Sequence, residues 1–224
     1  MTGSIAAALW PWVWLPVLGA YHGLNPAMGW LFAVARGLQE RTRRAVIGAL
    51  VPIALGHAAS IAAVLGLVGL AQIAVPEGIL HRLSAGVLFA FAAMRIRSSR
   101  HPRWVGMRVG FRDLSLWSFL MATAHGAGLM LIPVVLGNPA LQCSLAAQGP
   151  VAHAASAGRI IVAVGPWLLL TTGIHTLSLL LAAGVVAVWV YDRAGLAILR
   201  RAWINLDLIW AGVLLLAGAA ILVL

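Results

Sequence analysis

The chain of 224 residues contains no lysine, a single cysteine and only five acidic residues. Each shortage excludes something. One thiol, Cys143, cannot build an intramolecular disulfide, a CxxC relay or a thiolate metal cage. The acids are Glu40, Glu77, Asp113, Asp192 and Asp207, and none falls at the middle of an apolar stretch. Paired-carboxylate chemistry inside those stretches is therefore not available. Charged residues make up 9% of the chain, against about 25% in a soluble domain. No polar stretch is long enough for a separate soluble domain, and no nucleotide-binding motif is present. The first residues lack a basic n-region and a small-residue cleavage site, so no signal peptide is read there.

What the chain does have is apolar surface: 62% of its residues are hydrophobic. The composition implies an all-α integral membrane protein, embedded over nearly its whole length. The net charge of +10 would suggest nucleic acid if the charges were spread out. They are not. Segments 36–44, 95–113 and 192–203 hold every arginine except Arg82 and Arg159. Short Arg-rich loops alternating with Arg-poor ones are a topology signal and a lipid-headgroup contact. The partner is a bilayer, with no nucleic acid. The Arg-rich loops are assigned to the cytoplasm and both termini to the outside of a cell (inner) membrane. Trp10, Trp12 and Trp14 fit an outer aromatic belt, with Trp104 and Trp203 on the inner side.

Hydropathy divides the chain into six spans, about 6–35, 45–70, 79–96, 114–136, 159–191 and 204–224, each near the length of about 20 residues that a bilayer core requires. Spans one and five are overlong, which implies tilt, a break or an interfacial extension. The spans repeat in order. His22-Gly23 in span one matches His125-Gly126 in span four. His57-Ala58-Ala59-Ser60 in span two matches His175-Thr176-Leu177-Ser178 in span five. Ala85-Gly86-Val87-Leu88 in span three matches Ala211-Gly212-Val213-Leu214 in span six. Three spans per copy invert the second copy, so the expected architecture is one membrane domain, 1–224, of two inverted three-helix repeats. Repeat one covers 1–96, repeat two covers 114–224, and a basic cytoplasmic linker, 97–113, joins them.

The four repeated histidines are the candidate site. At about 1.5 Å per residue, all four fall roughly 18–24 Å from the cytoplasmic edge, in one slab near the bilayer middle. An ionisable side chain there is costly and is a functional candidate by default. Imidazole ligates transition metals and relays protons, so His22, His57, His125 and His175 are the metal-ligand set. The competing role is helix–helix hydrogen bonding. Ser60 and Ser178, one turn after their histidines, are in place to orient an imidazole or to bond back to a carbonyl. Asn25-Pro26 reads as an N-cap followed by a first helical residue. The helix is thus expected to break at Gly23-Leu24 and restart at Asn25, and such a half-helix N-terminus suits an anion. Met28, Met121 and Met130 are weaker candidates as soft ligands, and Asp207 and Asn205 open span six at its inner end. His81, His101 and His153 are read as loop residues.

Around the first two spans, His22-Gly23-Leu24-Asn25-Pro26-Ala27-Met28 and Leu55-Gly56-His57-Ala58-Ala59 resemble the nickel/cobalt-exporter-like branch of the LysE transporter superfamily, including the urease-accessory-type membrane proteins. That branch resembles His-x-x-Asp-Pro-Asp-His followed by Gly-His-Ser. The resemblance covers about 50 residues, by the extent of the two motifs, and the six-span plan beyond them. Asn25, Ala27 and Met28 stand where the branch carries two acids and a second histidine, so the resemblance implies a site without carboxylates.

The leading expectation is a secondary transporter or exporter of a small ion, a transition metal above others, with alternating access around a His-lined midplane site. It is not an enzyme and has no resident cofactor beyond a metal carried as substrate. The alternatives are a b-type haem redox protein with histidine axial ligands and a small-anion transporter built on Asn25-Pro26. An intramembrane metalloenzyme ranks lower because it lacks a carboxylate base. A homo-oligomer or an accessory partner, including an assembly role with no substrate, is compatible with the same sequence.

Overall fold

The computed structural model describes residues 2–97, 110–137, 154–194 and 206–223, and all of its regular structure is helical. Helix α1 (Thr2–Leu24) is followed by one 3-10 turn (Pro26–Met28) and α2 (Trp30–Glu40). Next come α3 (Arg43–Ala74) and α4 (Glu77–Arg97). Then follow α5 (Phe111–Ala124), the short α6 (Ala127–Met130) and α7 (Ile132–Leu136). The long α8 (Ala154–Trp189) ends in a π turn (Val190–Ala194), and α9 (Leu206–Val223) closes the chain.

Among the described residues, two helices are long and apolar enough to cross a membrane, Arg43–Ala71 and Gly165–Arg193. A third crossing is made if α5 and the α6–α7 segment, bent by 51° at their junction, count as one span. Gly78–Met94 and Ala211–Val223 are shorter apolar helices. The outward faces are apolar too: Val185 is 71% and Leu216 72% exposed. A lipid environment would satisfy such a surface; water would not.

The helices pack pairwise, α1 along α8, α3 along α5, α4 along α9, and α3 along α8. Close approach of two helix backbones needs small residues at the contact. Gly19 and Gly23 supply it on α1. A Cβ at Gly19 would land on the His175 carbonyl oxygen, and one at Gly23 on the Leu179 carbonyl oxygen. Gly56 does the same for α3, resting on the Ser115 carbonyl of α5.

Three apolar clusters result. One joins Leu15, Ile61, Leu65, Ala122, Ala127 and Leu131, with Trp10, Trp12 and Trp167 at its edge. A second, toward the turn that carries Arg41 and Arg43, joins Trp30, Val34, Val46, Ile53, Leu114 and Ala183. The third lies between α4 and α9 and includes Leu88, Leu214 and Met130. At the arginine end, Arg43 forks onto Asp192 of the π turn, with Nε to Oδ1 at 2.8 Å and a second nitrogen to Oδ2 at 2.5 Å. Arg36 pairs with Glu40 one turn on, at 2.8 Å.

Two expectations need correction. Span four is not one continuous helix: α5 stops at Ala124, and the chain turns at His125 and at Gly126, whose φ is +70°. Glycine tolerates that left-handed angle at no steric cost. His81 is not in a loop. Pro76 starts α4, its carbonyl accepting from Ile79 and Leu80, so His81 sits on helix and is half-buried. The expected break in span one is present, but the α-helix restarts at Trp30 and not at Asn25, which caps only a 3-10 turn. α1 runs through Leu24, and the interruption spans Asn25 to Gly29. Span five is unbroken from Ala154 to Trp189, roughly 54 Å at about 1.5 Å per residue, which accounts for its excess length by overshoot or tilt.

Candidate metal centre

Three of the four repeated histidines meet. His22 comes from the last turn of α1, His57 from the middle of α3 and His175 from the middle of α8. His22 and His175 are fully buried and His57 is 1% exposed. The His22 ring stands edge-on to both others, with centroids 5.3 Å from His57 and 4.9 Å from His175. His57 and His175 stack within 7° of parallel at 5.6 Å. One ligand nitrogen from each residue lies within 4.8 Å of the others. Metal–imidazole bonds of about 2.0–2.1 Å put neighbouring nitrogens about 3.3–3.6 Å apart. A contraction of about 1 Å, within reach of small ring rotations, would close these three on an ion.

The packing explains why they converge. His22 lies between Gly19 and Gly23, the two glycines that bring α1 onto the backbone of α8 at His175 and Leu179. Apolar clusters close the site at both ends. Leu15 and Ile61 lie toward one end, and Trp30, Ile53 and Ala183 toward the other. His22 Nδ1 lies 3.0 Å from the Leu18 carbonyl. A carbonyl only accepts, so Nδ1 carries the proton and Nε2 the lone pair. Nε2 of His57 and Nε2 of His175 are buried without a hydrogen-bond partner among the described residues. Buried polar atoms in that state are uncommon and call for a role; ligation of an ion is one.

His125 is completely buried but stands outside this trio. Its Nδ1 lies 2.8 Å from the Met121 carbonyl, the same four-residue back-bond that His22 makes.

The remaining candidates are placed as follows. Asn25 is buried and caps the 3-10 turn, its Oδ1 accepting from Ala27 N–H at 2.9 Å. The Leu24 carbonyl, left open by the break, accepts from Trp30 Nε1 at 3.2 Å. Ser60 does not orient His57. Its hydroxyl donates to Thr123 Oγ1 at 2.8 Å, and Thr123 in turn donates to the Phe119 carbonyl, so this pair staples α3 to α5. Ser178 is half-buried against Gly19 on the α1 side. Met28, Met121 and Met130 are buried, and Met130 belongs to the α4–α9 cluster. Asp207 lies in the first turn of α9. Asn205, Cys143, His101, His153, Trp104 and Trp203 lie outside the described residues. Among acids with described side chains, none joins the histidines. Glu40 is held by Arg36, Asp192 by Arg43, and Asp113 accepts from Gly110 N–H.

Sequence reasoning missed three contributors. The Gly19-x-x-x-Gly23 spacing was readable as a close-packing motif. The Thr123 bridge and the Arg43–Asp192 fork were not, because each joins residues far apart in the chain. Comparison with protein-family models, curated proteins and solved structures finds no match.

Proposed function

We propose that this protein is a secondary membrane transporter that carries a transition-metal ion through the buried histidine cluster. The observation that carries the reading is the convergence of His22, His57 and His175 from three separate helices, with ligand nitrogens within 4.8 Å. Three imidazoles without a carboxylate suit borderline and soft ions, such as Cu, Zn, Ni and Co, better than Mg or Ca. The site adds no negative charge to offset the ion's own, so a monovalent or anion-accompanied metal is favoured over a bare divalent one.

The proposed architecture is two inverted repeats of three spans in a cell membrane, with both termini outside. The packing partners support it. Exchanging span one with four, two with five and three with six turns the α1–α8 contact into the α5–α3 contact, and leaves α3–α8 and α4–α9 unchanged. The third matched motif behaves equivalently as well: Ala85 and Leu88 are buried on α4, and Ala211 and Leu214 on α9, with those two helices packed together. Midplane sites at the interface of inverted repeats are a transporter arrangement. Membership of the LysE superfamily's nickel/cobalt-exporter-like branch is the corresponding family proposal.

The anion reading loses ground on hydrogen bonding. Ala27, Met28 and Gly29 N–H groups are already bonded to Asn25 Oδ1, the Asn25 carbonyl and the Pro26 carbonyl. The haem reading loses ground on space, because a macrocycle between two of the rings would have to displace the third.

The test is elemental analysis of the detergent-purified protein after incubation with Zn, Cu, Ni or Co salts, with His57→Ala alongside, followed by ion flux in proteoliposomes. Bound metal lost in the variant, together with flux in the wild type, supports the reading. A wild-type protein that takes up no metal from any of the four salts overturns it.

A further inference from the structure

We infer that the ion changes one ligand as the transporter turns over: His57 and His175 hold it throughout, His22 completes the site in the state described here, and His125 replaces His22 in the opposite-facing state. This rests on the transport reading above and assigns the fourth histidine, which that reading leaves without a task.

One exchange of spans relates the two halves. It carries His22 to His125 and His57 to His175. Applied to the observed trio, it turns His22–His57–His175 into His125–His175–His57. The stacked pair maps onto itself, and only the third member changes. The geometry agrees with that division. His57 and His175 lie parallel and face each other from α3 and α8, the two helices that the exchange swaps directly with each other. His22 stands edge-on to both, at similar distances.

His22 and His125 are built alike. Both are fully buried, and both back-bond through Nδ1 to the carbonyl four residues earlier, Leu18 in one case and Met121 in the other. That bond fixes the same tautomer in each, with the lone pair on Nε2. Both are followed by glycine, and both sit where their helix ends: α1 stops two residues past His22, and α5 stops just before His125. The two leading helices are therefore hinged next to these histidines, while α3 and α8 run unbroken through His57 and His175. Inverted-repeat transporters alternate access by moving one repeat against the other around a central site; in the exchange inferred here the two halves trade conformations as they do so. A cage drawn as two central ligands plus one from repeat one must then become the same two plus one from repeat two. A single partner change moves the ion's exit from one side of the pair to the other without releasing it into the apolar clusters that close both ends.

The test compares four variants, His22→Ala, His57→Ala, His125→Ala and His125→Gln, loaded with Zn2+ and, separately, Cu+. Bound metal is counted in detergent, imidazole ligands are counted by X-ray absorption, and flux is followed in proteoliposomes. The expected result is that His125→Ala keeps its metal and its imidazole count yet loses flux by about tenfold or more. His22→Ala behaves likewise, its metal now held by His57, His175 and His125. His57→Ala loses the metal. His125→Gln retains an N–H for the Met121 carbonyl, so it controls for a purely structural role and should transport as poorly as the alanine variant. Wild-type flux in His125→Ala, or restored flux in His125→Gln, overturns the exchange. So does loss of metal from His125→Ala alongside His57→Ala, which would make the four one static site and leave the transport reading intact. A wild type that binds neither Zn2+ nor Cu+ is loaded with Ni or Co instead, and one that binds none of the four fails the transport reading itself.

Discussion

The two leading helices carry the same His-Gly pair and break beside it, yet they solve the break differently. In the first half the interruption is five residues long, with Asn25 its one polar side chain. Asn25 caps a single 3-10 turn, Gly29 turns the chain at φ +111°, and Trp30 reaches back to the Leu24 carbonyl. In the second half the chain turns at His125 and Gly126 and continues at once, with a 51° bend and no side-chain cap. Buried backbone groups freed by a break must find partners inside the protein. The first half finds them in side chains, the second in the tight turn itself, where His125 N–H reaches the Met121 carbonyl and Gly126 N–H the Thr123 carbonyl. Equivalent positions thus need not be equally rigid. The heavily braced break belongs to the histidine that sits in the cluster, and the lightly braced one to the histidine that stands outside it.

The largest effect should come from the pair that both halves share. Replacing His57 or His175 with alanine removes a ligand from any arrangement built on the stacked rings, so metal affinity should fall by about tenfold or more in each. Titration with a competing chelator measures it. Unequal losses would break the equivalence of the halves at its centre.

Next come the two turning glycines. Gly126 occupies the left-handed helical region at φ +70°, whereas Gly29, at +111°, lies beyond it. Alanine pays about 1–2 kcal/mol in the first conformation, and in the second the cost should exceed that range. Asparagine should be tolerated better than alanine at position 126 and should give no rescue at 29, where Ile53 side-chain atoms already lie 3.2 Å from an added Cβ. Thermal unfolding in detergent compares them. Equal losses would mean that the breaks differ in appearance only.

Gly23→Ala tests the approach of α1 to α8 that carries His22 to the cluster. The added methyl meets the Leu179 backbone, which cannot step aside as a flexible side chain would. Overpacking of this kind costs about 1–3 kcal/mol, and ion flux should fall with stability because His22 is displaced, while the metal stays bound through His57, His175 and His125. Gly48→Ala on α3, where an added Cβ has open space, is the control and should leave both unchanged.

The sequence revealed the chemistry more fully than its geometry. His22, His57 and His175 are legible because imidazole has a cost in hydrocarbon, and that cost marks the residue wherever it sits. Asn25-Pro26 is legible because capping is a local code. The break at His125-Gly126 was passed over because glycine in an apolar segment serves equally as a packing surface, and only the backbone angle tells the two apart. The spacing of Ser60 suggests an imidazole or a carbonyl on its own helix as partner, whereas its partner Thr123 lies across the α3–α5 contact. Local spacing finds neighbours on one helix and cannot rank them against those brought by tertiary packing. For the same reason the four histidines could be picked out one by one, but which three would meet could not be read.

The smallest expected effect is also the sharpest test of the first break. Asn25→Ala removes the acceptor for Ala27 N–H in a buried setting, where the loss of a capping side chain costs about 0.5–2 kcal/mol. The second half has no such side chain to lose, so no substitution there reproduces the effect. Asn25→Asp keeps the acceptor and should retain the turn, although it places a charge that no described cation balances. If the cap serves only to brace the hinge, Asn25→Ala should lower the unfolding temperature and leave metal affinity within about twofold of the wild type, well short of the tenfold cost of losing a metal's supporting contact. If Asn25 instead belongs to the ion's own shell, affinity should fall further than stability, and Asn25→Asp should bind a divalent metal more tightly than the wild type does. Measuring both quantities on the two variants separates a brace from a ligand.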